Sequence, residues 1–264
     1  MTPRAPTDVH AFIGAYPFRH VPHPEPEVLT RVLAREGVAA AWVGYLPAAF
    51  HRDPAHANEV LAQAVGPFAA LRPTPTVRPD WPGWEHALRD AAEVGAPAVR
   101  AFPPQWGLGP GDPYMARLAG SCGEAGIVLL LTVRFEDLRQ RHWMDAAGDL
   151  SAAAVRSLAR VSRRAHLVVL GAGREMIEEV HWGLTPDERS RVWWDISWIW
   201  GPPEDHLAHL FRTIGSERFL FGSGWPLRLT QTPTANLELL PDELRDRPLA
   251  HADDVVASAA RARA

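Results

Sequence analysis

Residues 98–133 read AVRAFPPQWGLGPGDPYMARLAGSCGEAGIVLLLTV and contain a complete strand–helix–strand unit. The apolar runs Ala98–Phe102 and Ile127–Val133 have the length and composition of buried strands, and Tyr114–Glu124 between them has the pattern of a helix. Gly126 stands at the joint between helix and strand, where a left-handed residue commonly ends a helix. This order of elements predicts a parallel β-α-β unit with a right-handed crossover.

The same unit recurs along the whole chain. Eight apolar, β-rich runs are predicted as strands: Val9–Ile13, Ala40–Leu46, Leu71–Val77, Ala98–Phe102, Ile127–Val133, Leu167–Leu170, Val192–Trp198 and Arg218–Phe221. The segments between them are predicted as helices: Glu27–Glu36, His56–Ala69, Trp84–Glu93, Tyr114–Glu124, Leu150–Arg164, Glu175–His181 and Asp205–Ile214. Eight such units predict an α/β fold of the (β/α)8 TIM-barrel class. An open doubly wound sheet is the alternative, but no strand is followed by a Gly-rich dinucleotide fingerprint or a P-loop.

Composition indicates one large globular domain. The chain has 264 residues, of which 47% are hydrophobic and 22% are charged. We predict a single TIM-barrel domain over residues 1–264, with residues 232–264 as a C-terminal extension packed on the barrel. The formal net charge of −4 gives no electrostatic reason to expect nucleic acid or an anionic membrane as a partner. We expect a cytoplasmic location because Cys122 is the single cysteine and the N-terminus shows no signal peptide.

Lysine is absent from the sequence, so all 27 residues counted as Lys and Arg are arginines. A codon bias towards GC-rich codons is the ordinary cause of such a composition. The chemical consequence is that no Schiff base can form on a lysine amine. A carbamylated lysine cannot bridge two metal ions either, which excludes the binuclear sites that depend on one.

Both ends of the predicted barrel carry motifs that resemble a known family. They are Asp8-Val9-His10-Ala11-Phe12-Ile13-Gly14 and Phe219-Leu220-Phe221-Gly222-Ser223-Gly224-Trp225-Pro226. These resemble the D-x-H-x-H-x-G start and the F-G-S-D-x-P finish of the amidohydrolase superfamily, in particular its amidohydrolase-related branch of metal-dependent-hydrolase-like TIM barrels. In this chain Phe12 stands where the family has its second His, and Gly224 stands where it has the catalytic Asp.

The resemblance also implies a His ligand in strand 5 and another near the end of strand 6. Those segments read Leu129-Leu130-Leu131-Thr132-Val133-Arg134 and Val169-Leu170-Gly171-Ala172-Gly173. Only His10 fills a ligand position of the family, whereas catalytic zinc generally needs three protein ligands. We therefore predict a degenerate metal site, no metal ligand and no cofactor. A metal site rebuilt from His20, His23 or His142 is the least favoured alternative.

Three arginines near strand ends are candidate substrate-binding residues. Arg78, Arg100 and Arg134 fall near the ends of strands 3, 4 and 5, where TIM barrels have their active sites. Strand parity predicts that Arg100 and Arg134 face the barrel mouth, and Val99-Arg100 resembles the G-V-R element of related lactonases. A guanidinium group suits bidentate binding of a carboxylate. The alternative is that these arginines pair with internal carboxylates such as Asp80 or Glu136.

Three residues are candidates for catalysis by proton transfer: His10, Glu136 in the loop after strand 5, and Asp195 in the D-x-S element of strand 7. His142 in the same loop and Trp225 after strand 8 are candidate substrate contacts. For Glu136 and His142 the alternative is a solvated charge run. For Asp195 it is a structural polar network inside the barrel.

These features predict an amidohydrolase-like enzyme that acts without the usual metal on a small carboxylated cyclic or aromatic compound. The reaction would be hydrolysis of a lactone-like bond or a lyase step. The expected partner is a small anionic substrate or ligand, with no nucleic acid and no membrane, and a homo-oligomer is left open. The alternative is a catalytically inactive pseudoenzyme that is retained for ligand binding or as a subunit partner.

Overall fold

A computed structural model describes residues 4–263 of the chain, and strands and helices alternate through most of it. The strands are β1 Thr7–Ile13, β2 Ala40–Tyr45, β3 Leu71–Pro73, β4 Ala98–Ala101, β5 Val128–Thr132, β6 Leu167–Leu170, β7 Val192–Asp195 and β8 Phe219–Leu220. The helices are α1 Pro26–Arg35, α2 Ala55–Val65, α3 Trp84–Glu93, α4 Pro113–Ala125, α5 Ala152–Val161, α6 Arg174–Gly183, α7 Pro186–Arg189, α8 His206–Thr213, α9 Gln231–Glu238, α10 Asp242–Arg245 and α11 Ala252–Arg263.

The strands close into a barrel. Two parallel sheets, β1-β2-β3 and β4-β5-β6-β7-β8, are joined at both seams by backbone contacts. At one seam the Arg100 amide donates to the Pro75 carbonyl at 2.8 Å and the Val77 amide donates to the Arg100 carbonyl at 2.9 Å. At the other seam the Phe12 amide donates to the Trp225 carbonyl at 2.8 Å. The predicted (β/α)8 TIM-barrel fold is therefore confirmed.

The unit at residues 98–133 shows why this sequence folds locally as it does. The Asp112 side chain caps α4 by accepting hydrogen bonds from the Tyr114 amide at 2.8 Å and the Met115 amide at 3.2 Å. Gly126 ends the helix with a φ of 68°, a conformation that costs glycine little. The Ile127 amide then bonds back to the Cys122 carbonyl at 3.0 Å and starts the path into β5.

Two strands, β3 and β7, end well before their predicted last residues. β3 ends at Pro73 rather than at Val77, because Pro73 and Pro75 have no amide hydrogen to donate to a ladder. Beyond Pro73 the Thr74 amide still donates to the Val43 carbonyl at 2.8 Å, and an isolated bridge joins Thr76 to Arg100. β7 ends at Asp195 rather than at Trp198, since the residues that follow turn over the barrel mouth.

The last helix covers the end of the barrel at which the strands begin. Val255 and Ala259 of α11 belong to the same buried cluster as the inward-facing residues Val9, Trp42 and Val128. This packing agrees with a C-terminal segment that lies on the barrel.

No helix among residues 4–263 is both long and apolar enough to cross a bilayer.

Candidate active site

A buried His–Asp pair lies at the centre of the candidate active site. The His10 Nδ1 atom lies 2.7 Å from Oδ2 of Asp195 and 3.1 Å from Oγ of Ser197. The other oxygen of Asp195, Oδ1, accepts a hydrogen bond from the Gly171 amide at 2.7 Å. Strands β1 and β7 and the turn after β6 therefore hold one imidazole in a fixed orientation, with Nε2 left over for another partner.

The surroundings of Asp195 keep its carboxylate ionised. Burial raises the pKa of Asp195, but the charge of His10 and the hydrogen bonds from His10, Ser197 and Gly171 outweigh burial, so that the net pKa is lowered. Gly222 makes room for this carboxylate, because a Cβ atom built at Gly222 would lie 2.6 Å from Oδ2 of Asp195. An anionic partner of this kind fixes the tautomer of a histidine and stabilises its protonated form.

Asp8 fixes the backbone on which His10 is carried. Its Oδ1 accepts hydrogen bonds from the amides of His10 at 2.9 Å and Ser223 at 3.0 Å, and Oγ of Ser223 donates to Oδ2 at 2.5 Å. The Gly224 amide also donates to the His10 carbonyl at 2.7 Å. Burial raises the pKa of Asp8, against the lowering effect of these hydrogen bonds and of His10. The Asp and Ser of the two end motifs thus join the first strand of the barrel to the segment after β8.

Arg100 lies inside the barrel, not at its mouth as expected from the sequence. Its side chain does point inward, but it is completely buried, with the guanidinium carbon 4.5 Å from the centre of the Phe12 ring. Nε donates to Oγ1 of Thr74 at 3.3 Å, and Nη1 has no hydrogen-bond partner among the described residues. Gly44 leaves the necessary space, because a Cβ there would lie 2.8 Å from Nε of Arg100.

Burial lowers the pKa of Arg100 to about 9, although the charges of Asp8 and Asp195 act in the opposite direction. The guanidinium is therefore a fixed cation at neutral pH. It has no direct contact with solvent, so in this conformation a substrate at the mouth cannot reach it.

Aromatic rings fill the region where the resemblance implies metal ligands. Phe12 is fully buried and packs edge-on against His10 at 5.5 Å and against Phe135 at 5.8 Å, with Phe102 at 6.3 Å. A phenyl ring offers no metal ligand, and the neighbouring Arg100 cation would repel one. Among residues 4–263 no group of three or more His, Cys, Asp or Glu side chains is placed to hold a metal ion. The residues present therefore do not fit the family's metal.

A narrow crevice leads from His10 towards the surface. It is too narrow to hold a water molecule without movement of its walls. The residues that line it are His10, Arg134, Phe135, Trp198, Gly224, Leu227 and Arg228. Two cations therefore face the same crevice as the His–Asp pair. A wider surface groove lined by residues 15–25 contains neither member of that pair.

Two arginines lie over the Trp198 ring in this crevice. The guanidinium carbon of Arg134 is 5.3 Å from the ring centre and that of Arg228 is 4.4 Å from it. Nη2 of Arg134 is 2.9 Å from Oδ2 of Asp149, so its charge is already paired. Asp149 is neither of the two carboxylates, Asp80 and Glu136, that the sequence suggested as partners for the arginines.

The other candidate residues from the sequence lie outside the crevice lining. Arg78 forms a two-pronged ion pair with Asp80, with both distances at 3.0 Å. Glu136 is buried and paired with Arg19 rather than with His10. The structure therefore brings His10 and Asp195 together and leaves Glu136 apart from them.

His142 and Trp225, the two candidate substrate contacts, do not line the crevice either. The His142 ring stacks on Phe18 at 5.9 Å in the loop after β5. Trp225 is 7% exposed, and its Nε1 atom is buried without a hydrogen-bond partner among the described residues.

Arg228 is the residue of this site that the sequence did not single out. It lies in the loop after β8, and its amide donates to the Gly224 carbonyl at 3.0 Å. The only sequence signal was its place four positions beyond Gly224, on a loop that a TIM barrel directs to its mouth. The spacing of hydrophobic residues, which predicts strands and helices, carries no information about the conformation of such a loop.

No protein-family model matches the chain, and no curated protein matches it. An uncharacterised TIM-barrel protein from Bordetella bronchiseptica superposes with a TM-score of 0.67 at 13% identity, covering 97% of this chain and 99% of that chain. An amidohydrolase from Mycobacterium avium subsp. paratuberculosis K-10 gives a TM-score of 0.58 at 17% identity, covering 88% of this chain and 73% of that chain. A 5-carboxyvanillate decarboxylase from Sphingomonas paucimobilis gives 0.63 at 12% identity, covering 97% and 96%. The chain therefore has the TIM-barrel fold that these structures share.

Proposed function

We propose that this protein is an amidohydrolase-like enzyme in which His10, oriented by Asp195, transfers protons to and from a small carboxylated aromatic or cyclic substrate. The observation that carries the proposal is the 2.7 Å contact between Nδ1 of His10 and Oδ2 of Asp195 at the base of a crevice with two arginines. With Nδ1–H donated to the carboxylate, Nε2 is the basic nitrogen and the one available to a substrate.

The chemical character of the crevice favours an aromatic acid. The Trp198 ring provides an apolar wall, and the guanidinium groups above it suit a carboxylate. One of the similar structures is named as a decarboxylase of 5-carboxyvanillate, which is an aromatic carboxylic acid. That similarity supports the substrate class through the fold alone, since only 12% of the residues are identical.

Two reactions are compatible with this arrangement. In hydrolysis of a lactone-like bond, Nε2 of His10 would accept a proton from the water that attacks the carbonyl carbon, and Asp195 would stabilise the imidazolium. The imidazolium would then give that proton to the ring oxygen as the bond between this oxygen and the carbonyl carbon breaks. In a lyase step, a His10 side chain already protonated from solvent would donate its proton to the substrate carbon as the bond from that carbon to the carboxylate breaks and carbon dioxide leaves. Neither step is assigned to a metal, because the residues present do not fit one.

The proposal is tested by turnover of a panel of hydroxybenzoates and aromatic lactones, with release of carbon dioxide and appearance of acid as separate readouts. We expect His10→Gln to lower turnover by about 10²–10⁴-fold, the usual contribution of general acid–base catalysis. His56→Gln is the matched control, because His56 is exposed on the surface and pairs only with Glu59. Equal turnover by His10→Gln and wild type would remove the catalytic role from the pair.

The second candidate function is a pseudoenzyme that binds a ligand without converting it. The closed crevice favours it, because Leu227 and Arg228 must move before any aromatic acid can reach His10. Binding of an acid from the panel without any turnover, in wild type and His10→Gln alike, would support this candidate. The cytoplasmic location and the homo-oligomer both stay predictions.

A further inference from the structure

We propose that Arg228 is the residue that recognises the substrate carboxylate, and that its side chain closes the crevice until an anion binds. This inference rests on the proposed function, because it names the group of that same crevice that selects an acid. It does not depend on which reaction follows.

Arg228 differs from the other arginines of the site in having no partner for its charge. Among the described residues its side chain makes neither an ion pair nor a hydrogen bond, and its buried Nε atom has no acceptor. Arg134 is held by Asp149, and Arg100 is enclosed in the barrel. Of the two guanidinium groups that line the crevice, that of Arg228 is therefore the one without a carboxylate partner among the described residues.

The position of Arg228 is defined by contacts on two sides. Its guanidinium carbon lies 4.4 Å from the centre of the Trp198 ring, within the range of a cation–π contact. Its aliphatic part lies over Gly224, where a Cβ would be 3.3 Å from Cδ of Arg228. Gly224 also has a φ of 74°, which disfavours any other residue. The glycine that replaces the family's aspartate thus leaves the space in which Arg228 lies.

Electrostatics favour an anion beside this side chain. Burial lowers the pKa of Arg228, and the charges of Asp195 and Asp137 oppose the lowering without forming an ion pair. A partly buried cation without a partner gains most from a ligand that brings its own charge. A carboxylate fits because the planar fork of donors matches its two oxygens.

The consequence for specificity is a preference for the acid over its uncharged amide. An amide of the same shape brings no charge that could compensate the charge of Arg228. The acid would draw the guanidinium away from the ring and widen the crevice above His10. Binding and opening are then a single event.

The experiment compares hydroxybenzoates with the corresponding benzamides by calorimetry on the full chain. We expect wild type to prefer the acid, and Arg228→Met to lose about 30-fold or more in affinity for the acid with little change for the amide. Arg228→Lys keeps the charge but not the fork, so it should recover only part of the loss. Arg117→Met is the matched control, because Arg117 also lies over a tryptophan, Trp84, but on the outer helices.

Unfolding curves of each variant establish that it is folded before binding is compared. If wild type shows no preference for the acid, or if Arg228→Met keeps that preference, the inference is wrong. Loss of the preference in Arg228→Met without turnover in any protein would support the inference while the catalytic proposal fails. Turnover that is lost in His10→Gln but unchanged in Arg228→Met would support the catalytic proposal and contradict the inference about Arg228.

Discussion

Replacement of Arg100 by Met should destabilise the barrel without affecting the crevice directly. The guanidinium is fully buried and has no ion-pair contact with Asp8 or Asp195, although the charges of both act on it. At an effective dielectric constant of about 20, such separated charges interact by roughly 2–4 kcal/mol in total. The cation–π contact with Phe12 adds about 1–2 kcal/mol.

Three features of Arg100 reduce the loss of folding free energy that its replacement causes. The hydrogen bonds from Arg100 to Thr74 are long, at 3.3 Å, and contribute little. Removal of the unpartnered Nη1 atom relieves a penalty of about 1–3 kcal/mol, and removal of the buried charge relieves part of the desolvation that lowers the pKa of Arg100. We therefore expect the free energy of unfolding to fall by about 1–3 kcal/mol at pH 7, compared with about 0–1 kcal/mol for the exposed control Arg117→Met.

The deficit of Arg100→Met should also depend on pH. Without the cation, the folded-state pKa values of Asp8 and Asp195 rise relative to those of wild type, so the folded variant binds protons more readily than folded wild type. The stability deficit of the variant should therefore become smaller as the pH falls. Urea denaturation at a series of pH values from 7 downwards measures both effects. A deficit below about 1 kcal/mol, or one that grows as the pH falls, would refute this reasoning.

Three further outcomes follow from the same contacts. Gly222→Ala should lower the free energy of unfolding by about 1–3 kcal/mol through its clash with Asp195, whereas Gly148→Ala, in open space, should change it little in urea denaturation. Asp195→Asn should be less stable than wild type above the ordinary Asp pKa of 3.8, and this difference should shrink as the pH falls through the lowered pKa of Asp195; a difference that is constant with pH would contradict the assignment. Dialysis against a chelator should leave the unfolding midpoint unchanged because Phe12 offers no ligand, and one tightly bound metal ion per chain by elemental analysis would show this to be wrong.

The elements of the fold could be predicted because each one is specified locally. Helix α3 has the predicted bounds Trp84–Glu93, and α4 begins one residue before its predicted start because Asp112 caps it. Prediction failed where the chain leaves the barrel cylinder. β7 stops at Asp195 because the following residues contribute to the mouth, and alternation of side chains cannot show where a strand ends in space.

The candidate site was predictable only where a motif marked it. His10 and Asp195 were singled out by their motifs, and the structure places them in contact. Strand parity predicted that Arg100 faces the barrel mouth, but the side chain is buried inside the barrel, because parity gives the direction of a side chain and not its depth. Arg228 was missed because its position depends on how a loop folds over Trp198, which is a tertiary contact with no local pattern.

The glycines beneath the two interior charges also limit how this barrel can change during evolution. Gly44 cannot gain a side chain while Arg100 is present, and Gly222 cannot gain one while Asp195 is present. Neither charge is readily lost alone, because the other would remain in a dry interior. These four positions should therefore be inherited as a set, and a lineage that exchanges one of them must pass through a less stable intermediate or change its partner at nearly the same time.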